Sequence, residues 1–230
     1  MPISFTATTP SKYYSFSFEK FMDLDIFKSN LGSLPFFKKW KKFWLETFKE
    51  EDEFLKSNLD SVVNPIKRLE SKPEYIGMYE MYNFEYVTPV GSYFYKFDVE
   101  KMKYLVHHHN IQVENIDTEF IYVDPSTPFI QSKVIDSRLP FLVRFYGAEK
   151  PFLCVDGNKR MRAKIGIEKI NTVNAYLFGE PHRNAIFFEK LDMYFYAFHH
   201  EVDCLFFALE TGLSADKIYE LTHMGQLKKT

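Results

Sequence analysis

Cysteine is nearly missing from this chain. Only Cys154 and Cys204 occur in 230 residues, far apart in sequence. Two distant thiols support neither a disulfide framework nor a paired metal-thiolate motif, which excludes the small stapled secreted folds and leads us to expect a reducing, cytoplasmic setting. Net charge is nearly absent too, with Lys plus Arg at 29 against Asp plus Glu at 31. No whole-molecule field draws the protein to nucleic acid or to an anionic membrane, so any anion site must be local. A long uncharged apolar run is also lacking. The richest stretch, Phe187 to Leu209, is interrupted by Glu189, Lys190, Asp192, His199, His200, Glu201 and Asp203, so no membrane span and no membrane partner are expected. Met1 to Pro10 has no basic run leading into an apolar segment, and a secretory signal is not expected there. Gly and Pro are sparse, at 9 and 11, and no repeat or low-complexity linker is visible, so residues 1–230 read as a single domain.

Aromatic residues are what the chain has in excess. They make up 18% of it, within a 46% hydrophobic share, enough for a core that buries roughly 70% of the unfolded surface. Residues 1–32 read as an arm with one short helix near Phe18 to Phe27. From Ser33 the aromatics Phe36, Phe37, Trp40, Phe43, Trp44 and Phe48, then Leu55 and Leu59, recur near helical spacing. They predict a long amphipathic helix capped by Ser33 and ending before Pro65. Four lysines flank Trp40, but a compensating acidic run at Glu50 to Glu53 follows, and the helix reads as scaffold rather than as a nucleic-acid or membrane face.

Between Ser71 and Phe97, the segments Phe84–Val87 and Ser92–Tyr95 read as strands of a hairpin, and Asp98 caps a helix running to about His109. Thr118 to Val123 reads as a further strand, Thr127 to Ser137 as a short helix or turn, and Phe141–Tyr146 with Pro151–Val155 as a second hairpin. A short helix from Asn158 to about Ile165, broken at Gly166, leads into a strand at Thr172–Phe178. Two helices close the chain, at about Ala185 to Glu210 and from Ser214 to about Met224. The expected fold is mixed α/β (α+β): a small sheet core over 118–178, an N-terminal helical and hairpin extension over 1–110, and a C-terminal helical pair over 185–224.

The most site-like segment is Val155-Asp156-Gly157-Asn158-Lys159-Arg160 with Arg162 beyond it. A chain leaving an apolar strand must turn sharply to enter a helix, and Gly157 supplies the required angles, with Asp156 or Asn158 as the turn or cap residue. Exposed amides at the start of that helix attract an anion, and Lys159, Arg160 and Arg162 add positive charge. Gly157, Asn158, Lys159, Arg160 and Arg162 are therefore the candidate phosphate-binding residues.

The stretch Phe152-Leu153-Cys154-Val155-Asp156-Gly157-Asn158-Lys159-Arg160-Met161-Arg162-Ala163, continued by Gly166 and Val173-Asn174-Ala175-Tyr176-Leu177, resembles the ParB/sulfiredoxin-like superfamily. In that family an apolar strand runs into a D-G-x-H-R turn and a basic helix start. The resemblance spans roughly residues 118–178, with nothing comparable in the first hundred residues. It implies a ParB-like fold that binds nucleotide phosphates through Arg160 first and Lys159 second, with phosphoryl or nuclease chemistry where magnesium is held. The departures are specific. Sulfiredoxins resemble this turn but carry a catalytic cysteine in it, where Asn158 stands here, so sulfinic acid reduction is not expected. Lys159 replaces the family's His and loses a group that exchanges protons near neutral pH. No catalytic residue is assigned. Asp124, Asp136 and Glu149 are the carboxylates to consider as metal ligands or bases, with a nucleotide and Mg as the cofactor to consider.

Other constellations read as structural. His107-His108-His109 point in directions about 100° apart on a helix and share no face. The pairs His199 with Asp203 and His200 with Cys204, even joined by His182, do not complete a tetrahedral site, and no metal site is expected. The C-terminal pair has the outline of a DNA-binding helix-turn-helix, but Asp216 and Glu220 would face phosphate, so DNA is the lesser partner. A catalytically inactive fold that binds a protein partner is the alternative function.

Overall fold

The computed structural model describes residues 16–57 and 80–227. The first part of the N-terminal arm, the helix end near Pro65 and residues 71–79 lie outside the described residues. The chain is mixed α and β, as expected. Its described residues divide into two compact units, one of residues 16–57, 83–96 and 187–227, the other of residues 80–82 and 97–186.

In the first unit, α1 (Phe18–Met22) and α2 (Asp25–Leu31) precede the long α3 (Phe37–Ser57). The helix α3 begins at Phe37 rather than at Ser33, because Pro35 disfavours a helical Leu34. Trp40, Trp44, Phe48 and Leu55 form its buried stripe. A hairpin of β1 (Met81–Thr88) and β2 (Gly91–Asp98) turns at Gly91, whose φ of 130° only glycine accepts readily. Helix α4 (Val99–His108) lies in the second unit and is capped by Asp98, which accepts from the Lys101 amide at 2.8 Å.

Three helices complete the first unit: α7 (Lys190–Glu210), α8 (Ala215–Leu221) and α9 (His223–Leu227). The aromatics of α3 and α7 interlock there. Trp40 stacks on Phe198 at 5.5 Å, and Phe48 meets Phe195 edge-on at 5.6 Å. The final helix splits in two because buried Thr222 turns extended, its hydroxyl donating to the Tyr219 carbonyl and accepting from the Gly225 amide.

The second unit holds a five-stranded mixed sheet in the order β3 (Val113–Asp117), β7 (Thr172–Phe178), β5 (Phe141–Arg144), β6 (Phe152–Asp156), β4 (Ile121–Tyr122). Edge strand β3 was not expected from the sequence. It is polar, with Ile116 as its one buried side chain, and pairs antiparallel with β7. The expected strand at Thr118 to Val123 reduces to a 3-10 turn, Thr118–Phe120, and the two residues of β4, which run parallel to β6. The hairpin β5–β6 forms as expected.

Helix α5 (Asn158–Ile167) covers the sheet with Met161 packed into a core of Ile116, Ile121, Leu142, Cys154, Val173 and Ala175, and with Ile165 against it. It runs through Gly166, and the chain reverses instead at Lys169, at φ 51°. Residues 183–186 form a separate short helix, α6 (Arg183–Ile186), so α7 starts five residues later than expected. No helix among the described residues is long and apolar enough to cross a membrane.

Candidate functional site

The strand-turn-helix segment is built in three steps. The register of β6 against β5 slips between Phe141 and Leu142, a bulge that places an extra residue, Val155, just before the turn. Gly157 then takes φ 99°, where a Cβ would lie 2.8 Å from Arg160 Nη2 and 3.0 Å from Pro140. Both the backbone angle and the close approach therefore require glycine. From there α5 runs ten residues with no side-chain cap, and the amides of Asn158, Lys159 and Arg160 have no acceptor among the described residues.

Asn158 does not cap the helix. Its carboxamide Oδ1 accepts from the Asp124 amide at 3.0 Å and its Nδ2 donates to the Cys154 carbonyl at 2.8 Å. Strand β4 ends at Tyr122 opposite Leu153, so Asn158 acts as a surrogate peptide unit and extends the β4–β6 ladder past that point.

Arg160 is turned inward and is 6% exposed. Nη2 donates to Asp156 Oδ2 at 3.0 Å and to the Leu139 carbonyl at 3.4 Å, Nη1 lies 3.9 Å from Asp136 Oδ2, and Nε has no partner among the described residues. Asp136 in turn receives a bidentate fork from Arg138, at 3.0 and 2.7 Å. Those Arg138 hydrogen bonds hold the Asp136 carboxyl well below the usual carboxylate range, assisted by the charge of Arg160. The result is a chain of alternating charge, Arg138–Asp136–Arg160–Asp156, which neutralises Arg160 from within. Arg162 is likewise engaged, donating to the carbonyls of Pro125, at 2.6 Å, and Thr127. Lys159, half-buried, is the cation of the segment with no hydrogen bond or ion pair among the described residues.

The three carboxylates singled out in the sequence separate. Asp124 stands beside the start of α5 through Asn158, its Oδ1 held by the amide and hydroxyl of Ser126 at 2.8 and 2.7 Å, and its Oδ2 unpartnered among the described residues. Asp136 belongs to the arginine chain. Glu149 is exposed in the β5–β6 turn, at the opposite end of β6 from Gly157, and does not join the segment. Cys154 is fully buried in β6, and burial pushes its thiol far up, so it stays protonated.

Elsewhere, His108 stacks on Tyr104 at 4.0 Å, with Nδ1 2.9 Å from the Tyr104 carbonyl, and both it and His109 are exposed at the end of α4. His182 Nδ1 accepts from the Gly179 amide at 3.2 Å. His199 is buried among Phe195, Phe198 and Tyr86, and burial lowers its pKa to about 3, which keeps the ring neutral. Among the described residues no group of three His, Cys, Asp or Glu could hold a metal. Asp216 and Glu220 are exposed on α8.

Two buried acids of α7 escaped the sequence reading. Glu201, 2% exposed, accepts from both tryptophans and from His223. Asp192, fully buried, accepts from the Tyr93 hydroxyl at 2.7 Å and the Lys96 amide at 3.2 Å, and burial pushes its pKa up to about 7. The available signal was acidic residues set among the apolar positions of one helix. No family model matches the chain, and no curated protein or solved structure matches it.

Proposed function

We propose that this protein binds a phosphorylated small molecule, with a nucleotide and Mg²⁺ as the first to test, at the N-terminus of α5. The observation that carries the reading is the run of acceptor-free amides at Asn158, Lys159 and Arg160 beside the uncommitted Lys159 ammonium. A helix N-terminus of this kind favours an oxyanion through its dipole and its unpaired donors together. The resemblance of the segment to ParB-like phosphate-binding turns points the same way. Roles within the segment divide by what each side chain already holds. The amides and Lys159 contact the anion, whereas Arg160 and Arg162 act as positioning residues that fix the turn and the 125–127 loop. Asp124, whose amide bonds Asn158 at the start of α5, is the carboxylate that would meet a magnesium ion carried in with the phosphates, and any phosphoryl or nuclease chemistry would depend on it.

Calorimetric titration with ATP, CTP and GTP, each with magnesium, tests the reading. Binding that weakens at least tenfold in Lys159→Glu supports it, as expected when an attractive charge becomes a repulsive one. No heat from the native protein with any of them overturns it.

A second reading draws on the saturation of Arg160 and Arg162 by the protein's own groups. On that reading the unit is a catalytically inactive module for a protein partner, contacted through Phe129, Ile135 and Ile167, of which Ile135 is 85% exposed. Phe129 lies on Gly166 of α5, and Ile135 ends the 3-10 turn packed on the same helix. A stoichiometric partner that co-purifies without nucleotide and is lost in Ile135→Glu would favour it. DNA binding through α8 and α9 is disfavoured by the acidic exposed face of α8. A salt-sensitive gel shift lost on removing residues 214–230 would restore it.

A further inference from the structure

We propose that the open edge of β3 takes up an extended, basic segment of a partner protein as a further strand of the five-stranded sheet. β3 stands at the end of the strand order and pairs with β7 alone among the described strands. The two ends of the strand tell which backbone groups that pairing uses. The Gln112 carbonyl accepts from the Leu177 amide at 3.0 Å, and the Thr118 amide donates to the Asn171 carbonyl at 2.8 Å. In an antiparallel pair, residues that exchange hydrogen bonds alternate with residues that do not, so Glu114 and Ile116, in step with Gln112 and Thr118, face β7. The N–H and C=O groups of Val113 and Asn115 and the N–H of Asp117 therefore point away from the sheet. None of them has a hydrogen-bond partner among the described residues. The strand carries no proline, its register with β7 is unbroken, and the side chains of Val113, Asn115 and Asp117 are exposed, so neither a bulge nor a kink blunts this edge.

Its protection is charge, and the charge selects what binds. Glu114 and Asp117 lie on opposite faces of the strand, Glu119 is exposed just beyond, and no lysine or arginine occurs from Gln112 to Phe120. In the adjoining turn, which the Thr118 amide holds, Glu168 and Lys169 offset each other. A second copy of β3 laid antiparallel would bring only carboxylates to the joint, so the edge repels its own kind. A basic strand meets the opposite field. Laid antiparallel, it sets a lysine beside Asp117 and another beside Glu114, with apolar residues beside Ile116 and beside Val113, which is 50% exposed. Read from its N-terminus, the matching order is lysine, apolar, polar, lysine, apolar.

The test uses the full chain labelled with ¹⁵N and the peptide lysine-valine-threonine-lysine-valine, blocked at both ends. In the free protein the amides of Val113, Asn115 and Asp117 should exchange with solvent roughly tenfold or more faster than those of Glu114 and Ile116. The peptide should shift and protect the three outward amides saturably, and a version with glutamate in place of lysine should not bind. Val113→Pro removes one outward donor and leaves every β3–β7 hydrogen bond in place, so it should weaken binding roughly tenfold, whereas Val113→Ala should change it little. The proposal is overturned if the outward amides are already protected in the free chain, or if the free chain dimerises through them. Absence of a saturable shift, or equal binding of the glutamate peptide, overturns it as well. These readings use the native protein, so they hold even where the proline variant does not fold.

Discussion

Replacing Glu201 by alanine should be among the most damaging single changes to the first unit. The carboxylate is 2% exposed and serves four donors: Oε1 takes the indole N–H of Trp40 and, at 3.2 Å, that of Trp44, while Oε2 takes the His223 amide at 2.7 Å and the His223 ring. Truncation leaves two indole N–H groups without an acceptor in a site where both tryptophans are almost fully buried. At about 1–3 kcal/mol for each unsatisfied buried donor, the expected loss is about 2–6 kcal/mol, with a further cost from the cavity left behind. That is a large share of the ~5–15 kcal/mol by which domains are stable.

Glu201→Gln keeps one oxygen for the indoles but turns an amide group toward the His223 N–H, so it should fall between the native protein and the alanine variant. Urea unfolding followed by tryptophan emission is the natural assay, because both tryptophans of the chain sit in this network. An alanine variant within about 1 kcal/mol of the native protein would refute the argument, since surface-like tolerance is incompatible with two stranded indoles.

Asp192 gives a pH dependence of known sign. Its carboxyl stays protonated in the folded state up to about 7, whereas an unfolded aspartate ionises near 3.9, so stability should fall as pH rises from about 4 to about 7, and Asp192→Asn should flatten that slope. Asp136 behaves in the opposite sense. Held low by Arg138, it contributes stability that is present above about pH 4 and is lost as the solution is acidified; a carboxyl ¹³C titration with an ordinary midpoint would exclude this. Gly157→Ala should destabilise by about 1–3 kcal/mol in thermal unfolding, through its positive φ and the displacement of Arg160. Gly166→Ala should instead be neutral to slightly stabilising, by up to about 0.5–1 kcal/mol, because the helix gains propensity and the half-exposed Phe129 ring, 3.1 Å away, has room to give.

Helix α3, the two hairpins and the turn into α5 were legible in the sequence because their side chains repeat with a clear period or stand next to a glycine that fixes a turn. Strand β3 was not, since Val-Glu-Asn-Ile-Asp buries one residue and reads as a polar loop until β7 is beside it. The division into two units leaves no local mark either, because the chain passes from one to the other inside β1, inside β2 and between α6 and α7 rather than at a Gly- or Pro-rich linker. Within the candidate site, Gly157 and the basic residues announced themselves. The engagement of Arg160 by Asp136 and of Arg162 by the Pro125 and Thr127 carbonyls did not, because those partners are more than twenty residues away in sequence. Asp192 and Glu201 registered as charges that interrupt an apolar run, and only the packing of α7 turns them into buried acceptors.

The carboxamide of Asn158, standing in for a missing rung between β4 and β6, makes one seam of the sheet depend on a side chain. Main-chain rungs survive almost any exchange of residue, but this one can be opened by altering a single codon. Aspartate in its place would still take the Asp124 N–H yet would set a negative oxygen against the Cys154 carbonyl, prying apart the joint from which the helix departs.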